Sequence, residues 1–307
     1  MDIYLPIAEV SVNWPTLVIL GAVVGFVSGL FGIGGGFLMA PILVFLGIPP
    51  TVAVASQASH VVASSTSGVI RYSGQGAVDF RMGAVMAGGG AVGALLGVEL
   101  FRYLRLLGQA DLMVALSYLL FLGAIGALML YESLSEILRR LRGEPAPRKE
   151  RRRPMWLYGL PLRMRFPKSG LYISALPPFG LGVFAGVLSA IMGVGGGFIL
   201  VPAMLYVLRM RAGAVVGTSL FQIIITTAIT TILQAGRNQT VDIVLSTILL
   251  LGGVIGAQIG ARFAGRFRAE ELRAALGLIV LLVGIQMGLE LFVRPSDIFM
   301  IAPGVGE

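Results

Sequence analysis

Long hydrophobic segments, separated by short polar or glycine-rich stretches, make up most of this chain. Three segments in the first half are long enough to be transmembrane helices, at about 51–72, 81–104 and 111–139. A helix rises about 1.5 Å per residue and must cross about 30 Å of hydrocarbon. The segments 15–31 and 35–47 are short by that measure, and a run of glycines joins them. The pattern predicts a helical hairpin that enters the membrane and turns back, followed by three transmembrane helices.

The second half of the chain repeats this plan. The run Gly32-Ile-Gly-Gly-Gly-Phe-Leu-Met-Ala-Pro41 returns as Gly193-Val-Gly-Gly-Gly-Phe-Ile-Leu-Val-Pro202. Val78-Asp79 opens one later helix as Val241-Asp242 opens its counterpart, and we expect both aspartates to be N-caps. The predicted parts are an N-terminal repeat 1–140 (hairpin 15–47; helices 51–72, 81–104, 111–139), a basic linker 141–176, a C-terminal repeat 177–292 (hairpin 177–208; helices 211–235, 241–263, 271–292) and a tail 293–307.

Composition narrows the class of protein. Of 307 residues, 56% are hydrophobic and only 12% are charged, whereas roughly a quarter of a globular domain is charged. We therefore predict an all-α polytopic membrane protein with two inverted-topology repeats, each a glycine-broken hairpin plus three transmembrane helices. The chain contains no cysteine, which excludes disulfides, thiol catalysis and thiolate metal sites.

The distribution of basic residues predicts the orientation in the membrane. Eleven of the 23 Lys and Arg residues lie between Arg139 and Lys168, so the positive-inside rule makes the central linker cytoplasmic, in contact with anionic headgroups. The loop before the last helix carries Arg262 and Arg266 and is also expected to be cytoplasmic. Equivalent loops then face opposite sides of the membrane. The two hairpins enter from opposite faces, their glycine tips meet near the midplane, and both termini are periplasmic or extracellular.

The glycine runs are the first candidate for a binding site. A helix N-terminus presents free N–H groups and partial positive charge, so it favours anions. The alternative is that the glycines only permit a tight turn. Their spacing lacks the pattern of nucleotide-binding loops, so ATP and NAD are not expected. The candidate anion-contact residues here are Gly34, Gly35, Gly36, Gly195, Gly196 and Gly197.

The helix after each hairpin carries many polar residues. Such side chains at membrane depth normally face protein or a polar cavity, although single Ser and Thr residues often bond to their own helix. His60 is the only histidine and either lies beside the site, where it could donate to an anion or carry a proton, or bonds between helices. The candidates are Ser56, Gln57, His60 and Ser64 in the first copy and Thr218, Ser219, Gln222 and Thr226 in the second, within a polar set that also includes Ser59, Ser65, Thr66 and Thr227.

These paired motifs resemble the TauE/SafE sulfite exporter family, also called the 4-toluenesulfonate uptake permease family. The resemblance covers roughly Pro15 to Phe292, apart from the basic linker. It implies transport of sulfite, thiosulfate or an organosulfonate across the bacterial inner membrane, with the glycine backbone contacting the anion. We expect a secondary transporter without cofactor, metal or nucleic-acid partner. The alternatives are an anion channel of the same architecture and a transporter for a different small anion. A membrane enzyme ranks below these because no nucleophile–base pair or metal-ligand cluster is evident.

Overall fold

The computed structural model describes residues 2–31, 34–142, 161–263 and 269–292, and this part of the chain is mostly helical. The predicted tail 293–307, much of the linker and the basic loop 264–268 lie outside the described residues. The elements, in chain order, are β1 (Asp2–Leu5), β2 (Val10–Asn13), α1 (Trp14–Phe31), α2 (Gly36–Phe45), α3 (Pro50–Gly74), α4 (Phe80–Leu106), α5 (Ala110–Leu141), β3 (Arg163–Phe166), β4 (Leu171–Ser174), α6 (Leu176–Met192), α7 (Gly197–Tyr206), α8 (Ala212–Leu233) with a π-helical turn (Gln234–Asn238), α9 (Ile243–Phe263) and α10 (Ala269–Phe292).

The distribution of side chains is that of a membrane protein. Within the described residues, five segments are long and apolar enough to cross a bilayer: Trp14–Phe31, Phe80–Leu106, Ala110–Arg139, Gly213–Asn238 and Ile243–Phe263. Helix α3 is also long enough to cross a bilayer, but its many polar residues make it less apolar than these five segments. Large apolar side chains such as Leu96, Leu120 and Ile255 are exposed, whereas the polar residues of α3 and α8 are mostly buried. Apolar groups therefore face the lipid and polar groups face the protein interior.

Helix contacts in one half have counterparts in the other. Helix α1 packs along α9 and α6 packs along α4, while α3 contacts α8 and α5 contacts α10. In each pair, one helix belongs to the first half of the chain and the other to the second. The pair α1–α9 is the counterpart of α6–α4, and the pairs α3–α8 and α5–α10 each join two equivalent helices. The two halves therefore form one intertwined bundle.

Glycines allow the closest of these approaches. A Cβ added to Gly97 would lie 2.9 Å from the backbone of Val187, and one added to Gly93 would overlap Val183. Gly256 and Gly260 of α9 have the same relation to the backbone of α1. The small residues four apart thus let helix backbones touch, as their spacing predicts.

Two short β-hairpins, which the sequence analysis did not predict, precede α1 and α6. The first pairs β1 with β2, and the second pairs β3 with β4 in antiparallel register. Asp79 caps α4 by accepting from the Met82 N–H, and its other oxygen accepts from the backbone and hydroxyl of Ser169 in the second hairpin. Asp242 likewise caps α9 and accepts from the Ile7 N–H of the first hairpin. Each aspartate is therefore a cap that also fixes a hairpin.

Candidate functional site

Each half contains a helix broken by glycines in left-handed conformation. Between α1 and α2, Gly34 and Gly35 have φ values of 87° and 65°, and between α6 and α7, Gly195 and Gly196 have 73° and 72°. A left-handed backbone costs other residues free energy because their Cβ approaches the following carbonyl, whereas glycine avoids this penalty. The glycines end one helix and begin the next within a few residues. In both halves this reversal occurs inside the protein, where Gly34, Gly35, Gly195 and Gly196 are buried.

The two glycine breaks contact each other. A Cβ on Gly36 would lie 3.0 Å from Cα of Val194 and 3.3 Å from the carbonyl oxygen of Gly193. The aromatic rings of Phe37 and Phe198, one residue into α2 and α7, have centroids 6.3 Å apart. The N-terminal ends of two half-length helices from different halves therefore meet in the core. The dipoles of the two helices concentrate partial positive charge at one place.

Two hydroxyl groups without hydrogen-bond partners face these breaks. The Ser65 Oγ lies 3.2 Å from where a Cβ of Gly34 would be, and the Thr227 Oγ1 lies 2.6 Å from the corresponding point on Gly195. Both hydroxyls are fully buried and lack a partner. Buried hydroxyls without partners are rare because burying an unpaired polar group costs free energy. Ser65 and Thr227 hold equivalent positions in α3 and α8, so the same feature occurs twice.

Other polar side chains hold the breaks in place through backbone carbonyls. The Ser64 hydroxyl lies within donating distance of the Gly34 carbonyl, at 3.3 Å, and of the Val61 carbonyl of its own helix, at 3.2 Å. The Met192 carbonyl, at the end of α6, accepts from the Tyr118 hydroxyl at 2.6 Å and from the Gln57 amide at 2.9 Å. Both donors belong to the first half, while Met192 belongs to the second. The second break is therefore anchored across the boundary between the halves.

The remaining polar candidates lie further from the breaks. Ser56 and Thr218 accept from the backbone N–H groups of Asp242 and Asp79, at the two ends of the bundle. Ser219 donates to the Val216 carbonyl of its own helix. The contacts that the structure shows for these three hydroxyls are structural.

His60 and Gln222 occupy equivalent positions, each against a glycine of a neighbouring helix. The His60 ring packs on Gly253, and its Nε2 lies 3.4 Å from the Gly21 carbonyl oxygen. The Gln222 amide lies beside Gly90 and donates to the Thr226 hydroxyl. The amide oxygen of Gln222 and the Nδ1 atom of His60 have no partner, so both side chains retain unused hydrogen-bonding capacity.

The six candidate glycines differ in what surrounds them. Gly34 and Gly195 face the polar helices α3 and α8. Gly36 faces α3 and the glycine break of the second half. Gly35 packs against Ser28 of α1, and Gly196 packs against Ala185 of α6. Gly197 is the buried first residue of α7. Among the residues that the structure describes, no three His, Asp or Glu side chains are grouped so that they could hold a metal ion.

Comparison with known proteins identifies the family. The family model described as "Sulfite exporter TauE/SafE" matches residues 17–287. The chain belongs to the TauE/SafE family. It is 30% identical over 270 residues to a probable membrane transporter protein of Xylella fastidiosa (strain 9a5c), covering 86% of this chain and 91% of the relative. The chain is thus a multi-pass membrane protein of a transporter family.

More distant relatives carry the same family or transporter names. The probable membrane transporter protein YjnA of Bacillus subtilis is 26% identical over 275 residues, covering 89% of this chain and 98% of the relative. The TauE/SafE family protein 3 of Arabidopsis thaliana, named a sulfite exporter, is 32% identical over 107 residues, covering 34% of this chain and 22% of the relative. No solved structure matches this chain.

Three polar side chains at the breaks, those of Ser65, Thr227 and Tyr118, were not among the candidate site residues predicted from the sequence. Ser65 and Thr227 belong to the predicted polar set, but the candidates named there were Ser64 and Thr226 instead. Counting from the two glycine runs pairs Ser65 with Thr226, so the equivalence of Ser65 and Thr227 is visible only in the structure. Tyr118 lies in an ordinary apolar helix, and nothing in its local sequence marks it.

Proposed function

We propose that this protein is a secondary transporter that holds a small sulfur-containing anion between the N-terminal ends of α2 and α7. The observation that carries the proposal is the pair of unpartnered, fully buried hydroxyls of Ser65 and Thr227, which face the glycine breaks at Gly34 and Gly195. A bound oxyanion accepts hydrogen bonds from both hydroxyls and from nearby glycine N–H groups. It thereby supplies the partners that these buried groups lack.

The groups at the N-terminal ends of α2 and α7 suit the binding of an anion that must also be released. Helix dipoles and N–H groups favour negative charge without placing a full positive charge beside it. An arginine or lysine at the same depth would bind the anion more tightly and slow its release. Glycine lets the ligand approach the backbone closely, since no side chain stands between them. Dipoles and hydroxyls from both halves match the midplane sites of transporters that are built from repeats.

The preference for sulfur anions rests on the family. The family model and the Arabidopsis relatives are described as sulfite exporters. Sulfite, thiosulfate and organosulfonates share an anionic group with several acceptor oxygens, which fits a site made of several donors. The class of substrate we propose is therefore a small sulfur oxyanion or sulfonate. Sulfite itself is the first member to test.

The paired hairpins support an inverted arrangement of the two halves in the bacterial inner membrane. Asp79 is bound by Ser169, which follows the basic linker, and Asp242 is bound by Ile7 near the start of the chain. These two caps mark opposite ends of the bundle, because α3 runs from Ser56, which bonds to Asp242, to Gly74, five residues before Asp79. The positive-inside rule places the Asp79 end in the cytoplasm. The Asp242 end and both termini then lie on the periplasmic side.

Alternating access follows from the contacts between the halves. The two breaks touch, and a first-half side chain, Gln57, holds the Met192 carbonyl of the second half. A rocking motion of one half against the other would change both breaks together. On the periplasmic side, Arg237 of the π-helical turn forms an ion pair with Glu99 of α4, which ties the halves together there. We propose that this pair breaks when the site opens outward.

The decisive experiment compares two threonines of α8 in proteoliposomes. Thr227→Val removes the hydroxyl that faces Gly195, whereas Thr231→Val removes one that donates to the carbonyl of its own helix at 2.8 Å. We expect uptake of radiolabelled sulfite to fall by about tenfold or more in Thr227→Val, since a lost hydrogen bond to a charged group costs about 1.5–3 kcal/mol. Uptake by Thr231→Val should stay within about twofold of the parent protein. Equal uptake by the two variants would refute the site.

The mode of transport has its own test. Unlabelled sulfite inside the vesicles accelerates entry of labelled sulfite through a carrier, because the loaded site reorients faster than the empty one. An anion channel, the alternative function, uses the same half-helix dipoles but shows no such acceleration. The same assay with sulfate, thiosulfate, sulfoacetate, taurine and chloride inside ranks the substrates. Acceleration by chloride alone would overturn the assignment to sulfur anions.

A further inference from the structure

We infer that a cleft between the ends of α3 and α9 is a docking site for the transported anion at the cytoplasmic mouth of its pathway. This inference rests on the proposed function. The cleft has a volume of about 270 Å³ and is lined by Ser67, Ile70 and Arg71 of α3 and by Gln258, Ala261 and Arg262 of α9. Two guanidinium groups, one amide and one hydroxyl therefore surround a small opening. In the described part of the chain, neither arginine forms an ion pair.

The cleft lies directly beyond the glycine break. Ser64, which donates to the Gly34 carbonyl, and then Ser67 and Arg71 follow one another at i, i+3 and i+7 on α3. At about 1.5 Å per residue, Arg71 is about 10 Å along the helix from Ser64. An anion leaving the cleft toward the midplane reaches the proposed site within about two helical turns.

The equivalent place at the other end of the bundle is closed. Glu99 stands as many residues after Asp79 in α4 as Arg262 does after Asp242 in α9. There Glu99 pairs with Arg237, Gln234 donates to the Ala190 carbonyl, and Asn238 donates to Gln234. One mouth thus carries opposite charges that pair with each other. The other carries two like charges that have no carboxylate partner among the side chains that the structure describes, which is the arrangement that an anion completes.

The size and chemistry of the cleft point to a small oxyanion. Its volume lies below the roughly 300–1,000 Å³ typical of pockets for drug-sized ligands. Arginine presents several N–H donors in a fork that matches oxyanions, and the Gln258 amide adds a neutral donor. The Ser67 hydroxyl already donates to the Ala63 carbonyl of its own helix at 3.3 Å and so adds polarity to the cleft wall. A phospholipid phosphate has the same chemistry and is the other possible source of the ligand. Ser67 at the edge of the cleft lies one helical turn from Ser64, which contacts the break, and this closeness favours the substrate.

The natural absence of cysteine makes a direct test possible. A Ser67→Cys variant carries a single thiol in the cleft, and a Ser73→Cys variant carries one on the exposed end of the same helix. The rate of modification by a neutral maleimide is measured in vesicles of phosphatidylcholine alone, with sulfate or methanesulfonate as the protecting anion. Neither anion reacts with the reagent. We expect protection of Ser67→Cys by at least about fivefold and no protection of Ser73→Cys, because an anion held between the arginines covers only the first thiol.

The two arginines of the cleft are then substituted in the Ser67→Cys variant. Arg71→Gln and Arg262→Gln, each combined with Ser67→Cys, should raise the half-protecting concentration about tenfold, which corresponds to about 1.4 kcal/mol. Arg81→Gln, an exposed arginine on the same side, should leave it unchanged. Protection that is unaffected by either cleft arginine would overturn the inference. If phosphatidylglycerol protects the thiol and sulfate does not displace it, the cleft is a lipid site, and the inference is also wrong.

Failure of this inference can be told apart from failure of the proposed function. Thermal stabilisation of the purified protein by sulfite tests the midplane site separately, because binding to the native state raises its apparent stability. If Thr227→Val abolishes that stabilisation while Arg71→Gln preserves both the stabilisation and the thiol protection, only the docking cleft is refuted. If the parent protein shows no stabilisation by any sulfur anion, the proposed function is refuted.

Discussion

Substituting Gly195 by alanine tests whether the second glycine break is shaped by the constraints that its geometry implies. Gly195 has a φ of 73°, and a Cβ there would lie 2.6 Å from Thr227 Oγ1 and 2.7 Å from Ile223 Cγ2. The left-handed backbone costs a residue with a Cβ about 1–2 kcal/mol. Overpacking a well-filled core costs about 1–3 kcal/mol more. The two terms together predict a loss of about 2–5 kcal/mol of stability in Gly195→Ala.

Substitutions at two other glycines separate the cost of the left-handed backbone from the cost of overpacking. Gly47 has a φ of 84° and open space around it, so Gly47→Ala should show the backbone term alone, about 1–2 kcal/mol. Gly123 lies inside α5 with nothing within 4 Å of a new Cβ and without a positive φ, so Gly123→Ala should be neutral or slightly stabilising. The expected order of stability is therefore Gly123→Ala, then Gly47→Ala, then Gly195→Ala.

The assay is the midpoint of thermal denaturation of the purified protein in one detergent. For a chain of this size, 1 kcal/mol shifts the midpoint by about 2–4 °C, so Gly195→Ala should melt about 4–20 °C below the parent and Gly47→Ala about 2–8 °C below it. Because membrane proteins often unfold irreversibly, all variants are heated at one rate and compared by rank. A Gly195→Ala protein as stable as Gly123→Ala would show that the break does not constrain the backbone as described.

Two further substitutions test the contacts between the halves. Tyr118→Phe removes the hydroxyl that donates to the Met192 carbonyl at 2.6 Å, so we expect a loss of about 0.5–1.5 kcal/mol, read as a lowered midpoint of thermal denaturation; an unchanged midpoint would contradict the anchoring role. Glu99→Gln removes the ion pair with Arg237, which is half-exposed and worth about 1 kcal/mol at most. Overall stability should hardly change, but backbone hydrogen exchange of the π-helical turn Gln234–Asn238 should rise by up to about fivefold, and unchanged exchange would mean that the pair does not hold that mouth closed.

The main features of the fold were accessible from hydrophobic length and glycine placement. The predicted transmembrane segments 81–104 and 111–139 correspond to the helices Phe80–Leu106 and Ala110–Leu141. Such agreement arises because a helix in lipid must satisfy its own backbone and match the bilayer thickness, and both requirements act on local sequence. Small residues four apart, such as Gly93/Gly97 and Gly256/Gly260, are typical of closely packed transmembrane helices, and the packing distances agree with this.

The β-hairpins were not predictable in the same way. The strands Asp2–Leu5 and Arg163–Phe166 are only four residues each and lack a distinctive alternation. They are fixed by long-range bonds, such as that from the Ser169 N–H to Asp79 at 2.9 Å. A local pattern contains no information about a partner ninety positions away. For the same reason, the sequence indicated both aspartates as caps but gave no sign of their second role.

The candidate site was predictable as a region and less so as a set of atoms. Polar residues on α3 and α8 were correctly placed in the interior, since lipid excludes them. Which of them face the breaks depends on helix rotation, and adjacent residues such as Ser64 and Ser65 point in directions about 100° apart. Ser64 donates to the Gly34 carbonyl, while Ser65 is left without a partner. Only the packing of α3 against the other helices decides between them.

On the proposed function and orientation, the difference in charge between the periplasmic and cytoplasmic mouths would make the transport cycle asymmetric. The periplasmic mouth closes by bringing Glu99 and Arg237 together, which is favourable by itself. Closing the cytoplasmic mouth brings α3 and α9 together and so brings Arg71 toward Arg262. Two like charges 4 Å apart repel by about 1 kcal/mol in water and about 4 kcal/mol at the effective dielectric of a protein surface. An anion between them cancels this repulsion. On the proposed function, the empty protein therefore rests open to the cytoplasm, and the anion that docks there is what makes closure of that side favourable.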